Sequence, residues 1–274
     1  MTQTVCEIIT VGNELLIGKT LNTNAHWLAK RITSLGGKVA RIVVVGDDVN
    51  EIALSVDEAM QRKSHFIITV GGLGPTFDDK TLEGLAGALE CELEINDEAL
   101  KMIKEKYREY VEEGKMERAE MTPPRVKMAK LPKEARPLFN PVGTAPGVAI
   151  QRKGTTVVAL PGVPSEMKAI FDNSVAPRLK QVAGDVTFFE TSMEARKVIE
   201  SEMAPLIDLV MHDNPYVYIK SHPKGAERIS RIEFHFSATA KNSGIARRRV
   251  TKAFVQLSEL IEGKGGKIRP IKIR

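Results

Sequence analysis

Three short apolar runs separated by two amphipathic stripes occupy the first seventy residues, and few folds accommodate that alternation. Val5–Val11, Lys38–Val45 and His65–Val70 are rich in Val and Ile and too short for helices. Between the first two, Ala25, Leu28, Ala29, Ile32 and Leu35 recur at helical spacing until Gly36-Gly37 stops them. Between the second and third, Ile52, Val56, Ala59 and Met60 draw a second stripe over Val49 to Arg62. Apolar runs buried on both faces and joined through helices predict a parallel sheet with helical crossovers.

The third run ends in Gly71-Gly72-Leu73-Gly74-Pro75-Thr76-Phe77-Asp78-Asp79-Lys80-Thr81. Glycine reaches φ > 0 without strain and lets backbone N–H groups approach a ligand. A helix expected to begin near Asp79 points the positive end of its dipole at the same place, so a phosphate suits the turn. The alternative is a plain strand-to-helix turn in which Asp78 or Asp79 caps the helix. Two adjacent carboxylates, joined by Asp47 or Glu166, also suit a hard divalent cation such as Mg²⁺.

Further along, Asp97 is the expected N-cap of a helix reaching about Glu113, and Lys115 to Pro137 reads as a mobile or loosely packed connection. Two strands bracket a hairpin turn at Arg152-Lys153-Gly154, and Ser165 is placed to cap a helix after Leu160-Pro161-Gly162-Val163-Pro164. Pro177 to Gly184 closes a first domain, residues 1–184. Residues 185–274 read as a small α+β domain: a strand over Val186 to Thr191, a helix over Met193 to Met211, and strands over Tyr216 to Ser221 and Ile229 to Ser237. A helix over Gly244 to Ile261 and a strand over Lys267 to Ile273 follow.

With 42% hydrophobic and 27% charged residues in 274, the chain can bury a core, which excludes disorder and coiled coil. No apolar run approaches the roughly 20 residues that cross a bilayer, and Met1 to Val5 begin no signal-type segment. A cytoplasmic location is expected, with no membrane partner. Cys6 and Cys91 lack any disulfide or metal spacing and are expected to be buried and inert. The net charge of +5 arises in residues 185–274, which hold 16 Lys+Arg against 11 Asp+Glu, while residues 1–184 hold 24 of each. Arg247-Arg248-Arg249 reads as a solvated helix face, and nucleic acid is not the expected partner.

Two motifs fall short. Gly12 to Thr20 ends in Gly-Lys-Thr after a strand, but five residues separate its glycines where a phosphate loop of the G-x-x-x-x-G-K-[ST] type has four. Gly263-Lys264-Gly265-Gly266 has the form of a KH-domain loop, but joins a helix to a strand rather than two helices.

A wider pattern accounts for more residues. Val11 to Gly18, Asn22-Thr23-Asn24, Val45-Gly46-Asp47-Asp48, the Gly71 to Thr81 turn, Asn140-Pro141-Val142-Gly143-Thr144-Ala145-Pro146-Gly147 and Leu160 to Met167 occur in that order. Together they closely resemble the N-terminal domain of the CinA (competence/damage-inducible) family, part of the MoCF, or MoaB/Mog-like, molybdopterin-binding superfamily. The resemblance covers roughly residues 4 to 180. It implies a three-layer α/β/α domain with a mostly parallel sheet and a ligand site at the carboxyl ends of the strands. Carried over by motif, Asp47 and Asp79 line the pocket, and Gly72, Gly74 and Thr81 form a phosphate-facing turn with Gly71. Asn22, Thr144, Pro161, Gly162 and Glu166 close over the ligand.

The activity implied is hydrolysis of the pyrophosphate in ADP-ribose-like dinucleotides, with Asp78, Asp79 and Asp47 as catalytic residues and a divalent metal, Mg²⁺, held by Asp78 and Asp79. The alternative is a non-hydrolytic molybdopterin or nucleotide binding protein. Full-length CinA adds a deamidase domain, for which residues 185–274 are too few, so deamidation is not expected of them. A homo-oligomer is expected.

Overall fold

A computed structural model describes residues 4–224 and 231–271. Its contacts divide the chain into two compact units, one comprising residues up to Thr33 with Gly37–Ala183, the other Ser34–Gly36 with residues from Gly184 onward.

The first unit opens with β1 (Val5–Val11), α1 (Asn13–Leu16), α2 (Thr23–Ser34), β2 (Lys38–Val45), α3 (Val49–Gln61) and β3 (Phe66–Val70). There follow α4 (Thr81–Ala88), β4 (Leu93–Ile95), α5 (Asp97–Glu112), α6 (Pro123–Lys127), β5 (Lys130–Pro132), β6 (Arg136–Leu138), β7 (Gly147–Arg152) and β8 (Thr155–Leu160). A helical segment closes the unit: α7 (Pro164–Ile170), a π turn (Phe171–Val175) and α8 (Ala176–Ala183). The six-stranded sheet runs β2-β1-β3-β8-β7-β6. The first four strands are parallel, and β7 and β6 are antiparallel additions.

Alternation along the central strands builds two cores. Ile9, Val11 and Ile67 face Ile52 and Val56 of α3, Leu85 of α4 and Ile103 of α5. Their neighbours Ile8, Phe66 and Ile68 are equally buried on the other side, where Leu28 and Ile32 of α2, Ile170, Phe171 and Leu179 are buried. The result is the expected three-layer α/β/α domain. Each such side chain contributes about 1.5–3 kcal/mol relative to exposure. Of the three runs read as buried on both faces, β2 departs: it is the sheet edge and half exposed.

Four local expectations are corrected. Residues 115–137 are not a loose connection, because α6, β5 and β6 lie there and Met128, Ala129, Leu131 and Ala135 are buried in the first core. Asn96, not Asp97, caps α5, accepting the Ala99 N–H at 3.0 Å. Ser165 lies inside α7, which Pro164 opens; proline has no N–H to satisfy there. Helix α4 begins at Thr81, and neither Asp78 nor Asp79 caps it. Cys6 is buried, which pushes its thiol up to about 12 and makes it inert, whereas Cys91 is half-buried.

The second unit comprises β9 (Thr187–Arg196), α9 (Glu200–Asp213), β10 (Val217–Lys224), β11 (Arg231–Ala240), α10 (Ser243–Gly263) and β12 (Lys267–Ile271). Its sheet is antiparallel, in the order β10-β11-β9-β12. The helix expected from Met193 is instead strand as far as Arg196. Met193 and Ala195 alternate inward with Glu194 and Arg196 outward, and pairing on both edges of β9 outweighs the helix propensity of Met, Glu and Ala. The expected strand positions at Ile229 and Ser230 and beyond Ile271 lie outside the described residues.

Candidate functional site

Because β1, β2, β3 and β8 run parallel, their carboxyl ends meet at one edge of the sheet. β1 connects to β2 on one side of itself while β3 lies on the other, which opens a crevice between the departing loops. A cleft of about 500 Å³ occupies that crevice. It is lined by Asp47, Gly71, Gly72, Gly74, Asp78, Asp79, Asn22, Thr144, Pro161, Gly162 and Glu166. Every residue singled out from the sequence is thereby brought together except Thr81.

Thr81 is buried, and its hydroxyl donates to the Gly71 carbonyl at 2.7 Å while its N–H donates to the Gly72 carbonyl at 3.1 Å. It braces the turn from behind rather than facing a ligand. The turn demands glycine twice: Gly71 (φ 108°) would place a Cβ 2.3 Å from the Val11 carbonyl oxygen, and Gly72 (φ 66°) would place one 2.4 Å from the Thr81 hydroxyl. The Gly71 N–H is spent on the Leu160 carbonyl, whereas the Gly72 and Gly74 N–H groups meet no acceptor among the described residues. Those two donors are available to a ligand.

The carboxylates are held from several directions. One oxygen of Asp47 accepts the Asn13 N–H at 2.9 Å, and Asn13 Oδ1 accepts the Asp47 N–H in return. Glu166 accepts from Asn140 Nδ2 at 2.7 Å, and the same Asn140 folds its loop by accepting the Val142 and Gly143 N–H groups. A Cβ at Gly143 would collide with the Glu166 carboxylate at 2.2 Å. Asn22 donates to Thr10 Oγ1, and Asn24 Nδ2 donates across the cleft to the Gly162 carbonyl at 2.7 Å.

Asp79 turns away from α4 and accepts the Thr76 N–H at 2.9 Å. The Thr76 hydroxyl lies 2.5 Å from Asp78 Oδ1 and 2.6 Å from Asp79 Oδ2. That hydroxyl has one proton and can satisfy one carboxylate. The second close oxygen pair is repulsive unless a proton or a cation lies beside it. Hydrogen bonds from Thr76 and from its own backbone N–H hold the Asp78 carboxyl below the usual carboxylate range, with Lys127 and Lys80 adding to the effect.

Sequence reasoning missed Lys127. From α6 its ammonium donates to the Thr76 and Asp79 carbonyls, both at 2.6 Å, and so pins the loop that carries the two aspartates. No motif announces a residue that acts through backbone carbonyls some fifty positions away. Lys127→Met, which keeps the stem and removes the donors, is expected to raise KM for the ligand about tenfold or more. It should also speed proteolysis within 74–80; unchanged KM and cleavage would refute the pinning role.

Five carboxylates line the cleft, from Glu14, Asp47, Asp78, Asp79 and Glu166, and no Lys, Arg or His does so among the described residues. No group of three or more His, Cys, Asp or Glu forms a metal-binding cluster among the described residues. No helix there is long and apolar enough to cross a membrane.

A parallel-sheet α/β domain with an acidic, amide-lined cleft at its strand ends defines a small-ligand-binding class. Residues 7–181 match the family described as probable molybdopterin binding domain, and the chain belongs to that family. A protein from Pyrobaculum arsenaticum is 48% identical over 262 residues, covering 94% of this chain and 95% of that one. One from Thermoplasma acidophilum is 38% identical over 263 residues, covering 96% and 98%. The crystal structure of the protein CinA with unknown function from Thermoplasma acidophilum superposes with a TM-score of 0.59 at 43% identity, covering 65% of this chain and 98% of that one. The CinA-type resemblance read from the six motifs therefore holds.

Proposed function

We propose that the chain hydrolyses the diphosphate of ADP-ribose-like dinucleotides, taken up as their Mg²⁺ complexes. The observation that carries this reading is the cleft's charge: two unspent amide donors surrounded by five carboxylates with no basic side chain. A bare diphosphate would be repelled there, whereas one already paired with a divalent cation would not.

The residues fit such a cation. Asp78 and Asp79 are hard oxygen donors crowded onto one hydroxyl, and Mg²⁺ characteristically takes one or two carboxylates and completes its shell with phosphate oxygens and water. A three-carboxylate cage is not required. Bound Mg²⁺ supplies charge neutralisation at the phosphoryl oxygens and makes a water more acidic.

The protein groups do the rest. The Gly72 and Gly74 N–H groups donate to phosphoryl oxygens as negative charge develops. The Asp47 oxygen not used by Asn13 is free to orient the attacking water and accept its proton. Water oxygen bonds to one phosphorus, the P–O bond to the bridging oxygen breaks, and AMP and ribose 5-phosphate leave. Leu21, 83% exposed, and Val163 offer apolar surface to the base.

The family's description favours a second reading, non-hydrolytic binding of a molybdopterin-type phosphate. AMP release from ADP-ribose, measured with Mg²⁺, Co²⁺ or EDTA, separates the two. The hydrolase reading expects turnover with metal and loss of about 10²-fold or more in EDTA. Molybdopterin binding by calorimetry with no AMP formed under any condition would replace it with the second.

A further inference from the structure

One buried amide is spent in full around a single acid of the cleft. Asn140, 5% exposed, donates from Nδ2 to the Ala145 carbonyl at 2.8 Å and to Glu166 Oε2 at 2.7 Å, while its Oδ1 accepts the Val142 and Gly143 N–H groups. Both donors and both lone pairs of the side chain are used.

The loop that results is shaped to the Glu166 carboxylate. Gly143 has no left-handed φ that would call for glycine, yet a Cβ there would meet the carboxyl group. Helix α5 holds the same loop, with Lys106 donating to the Pro141 carbonyl at 3.1 Å and the Tyr110 hydroxyl to the Val142 carbonyl at 3.2 Å. Ordering so many polar groups costs conformational entropy, and what it fixes is the direction of Glu166. Glu166 Oε1 accepts no hydrogen bond among the described residues.

Its place in the cleft suits a nucleoside. A Cβ at Gly162 would lie 3.4 Å from the Gly71 Cα, so the loop after β8 adjoins the turn whose Gly72 and Gly74 amides remain for phosphate. Val163 follows, half exposed, and its carbonyl accepts the Met167 N–H, which places Glu166 about 5 Å further along the first turn of α7. Both residues line the cleft. A base resting on Val163 therefore brings its own ribose within reach of Glu166.

We propose that Glu166, aimed by Asn140, recognises the cis-diol of the substrate's nucleoside ribose; the nucleotide itself rests on the reading given under Proposed function. The 2′- and 3′-hydroxyls donate to the carboxylate, whose Oε1 is unspent and whose Oε2 keeps a lone pair beside the Asn140 bond. Hydrogen bonds from hydroxyls to a carboxylate are about twice as strong as neutral ones. A site arranged to receive a hydroxyl also rejects an analogue that lacks it. Asn140 does not line the cleft and is a positioning residue.

The test compares ADP-ribose with its analogue carrying a 2′,3′-dideoxyadenosine half, on the full chain in Mg²⁺. Nucleoside monophosphate release gives kcat and KM, and calorimetry gives the affinity of each compound. Wild type is expected to prefer the diol by about tenfold or more in both kcat/KM and affinity. Glu166→Ala should bring that preference to within about threefold of unity. Asn140→Asp keeps the acceptor for the loop but has no donor for Glu166, and should lose the preference by raising KM for ADP-ribose rather than by lowering kcat. Glu166→Gln takes the place of alanine should that variant fail to fold by circular dichroism. A wild type indifferent to the diol, or a Glu166 variant that loses both compounds equally, would overturn the inference. Equal loss relieved by added Mg²⁺ would overturn it in favour of a metal ligand. Binding that prefers the diol with no monophosphate formed would remove the hydrolase reading and support this one.

Discussion

Replacing Asp79 with alanine is expected to lower kcat/KM for ADP-ribose cleavage about a thousandfold in saturating Mg²⁺, with little change in the folding midpoint. Cation-mediated charge neutralisation contributes several kcal/mol to a phosphoryl-transfer transition state, and each 1.36 kcal/mol is about a factor of ten. Asp79 also holds the Thr76 N–H, so the alanine variant loosens the loop as well as removing charge. Asp79→Asn separates the two effects: the amide oxygen still accepts from Thr76, but the negative charge is gone. If charge is what matters, the asparagine variant falls nearly as far as alanine, and added Mg²⁺ restores neither. If the carboxylate were only a structural brace, asparagine would keep near-normal turnover, and Asp79 would have to be removed from the chemistry.

The second large effect is on stability. Glu7 on β1 is 1% exposed and accepts hydrogen bonds from Arg62 Nε at 3.0 Å, Arg62 Nη2 at 2.8 Å and the Ser64 hydroxyl at 2.7 Å. Removing Glu7 leaves the buried Ser64 hydroxyl without its acceptor, while Arg62 is 28% exposed and keeps Glu58, so the loss is that of hydrogen bonds to a charged group, about 1.5–3 kcal/mol. Glu7→Ala should therefore shift the denaturant midpoint far more than any surface substitution. It should leave cleavage at 25 °C unchanged, because Glu7 belongs to the start of its strand and the cleft to the end.

The pH dependence has a definite sign. Burial raises the Glu7 carboxyl, but hydrogen bonds from Arg62 and Ser64 and the Arg62 charge outweigh it and hold the group below the usual carboxylate range. A group whose folded value is depressed contributes stability that is complete above its unfolded value and is lost as pH falls through the folded one. The wild-type chain is thus expected to lose stability below about pH 4.5, where an unfolded glutamate titrates, more steeply than Glu7→Ala. Parallel curves for the two proteins would mean that Glu7 is not the group responsible.

Much of the first unit was legible because its determinants are local. Ile8 and Ile9 lie in buried parallel strand, which reads as an unbroken apolar run, and the strain of Gly71 and Gly72 is visible as glycine itself. Asp47, Asp78, Asp79 and Glu166 were legible through their motifs while Glu14 was not singled out, and their meeting at one edge follows from parallel strand direction. Contacts distant in sequence were not. Asn140 was quoted within a motif without a hint that its amide would hold Glu166, twenty-six residues on. Thr81 follows the turn in sequence, yet its hydroxyl points back into protein. At Met193, helix-forming residue types masked a period of two that only pairing with β11 and β12 resolves. A row of four cations across the second unit's sheet is invisible in sequence for the same reason: Lys224, Arg231, Arg196 and Lys267 become neighbours through register alone.

The strap from Asn24 to Gly162 ties together two residues that line the cleft. A single neutral hydrogen bond contributes about 0.5–1.5 kcal/mol net, and the other end of the same amide, Asn24 Oδ1, is buried with no partner among the described residues to lose. Swinging that one side chain aside therefore widens the aperture at a cost thermal motion meets readily. Guests of different bulk can be admitted through the same doorway without disturbing the rigid floor of strands beneath it.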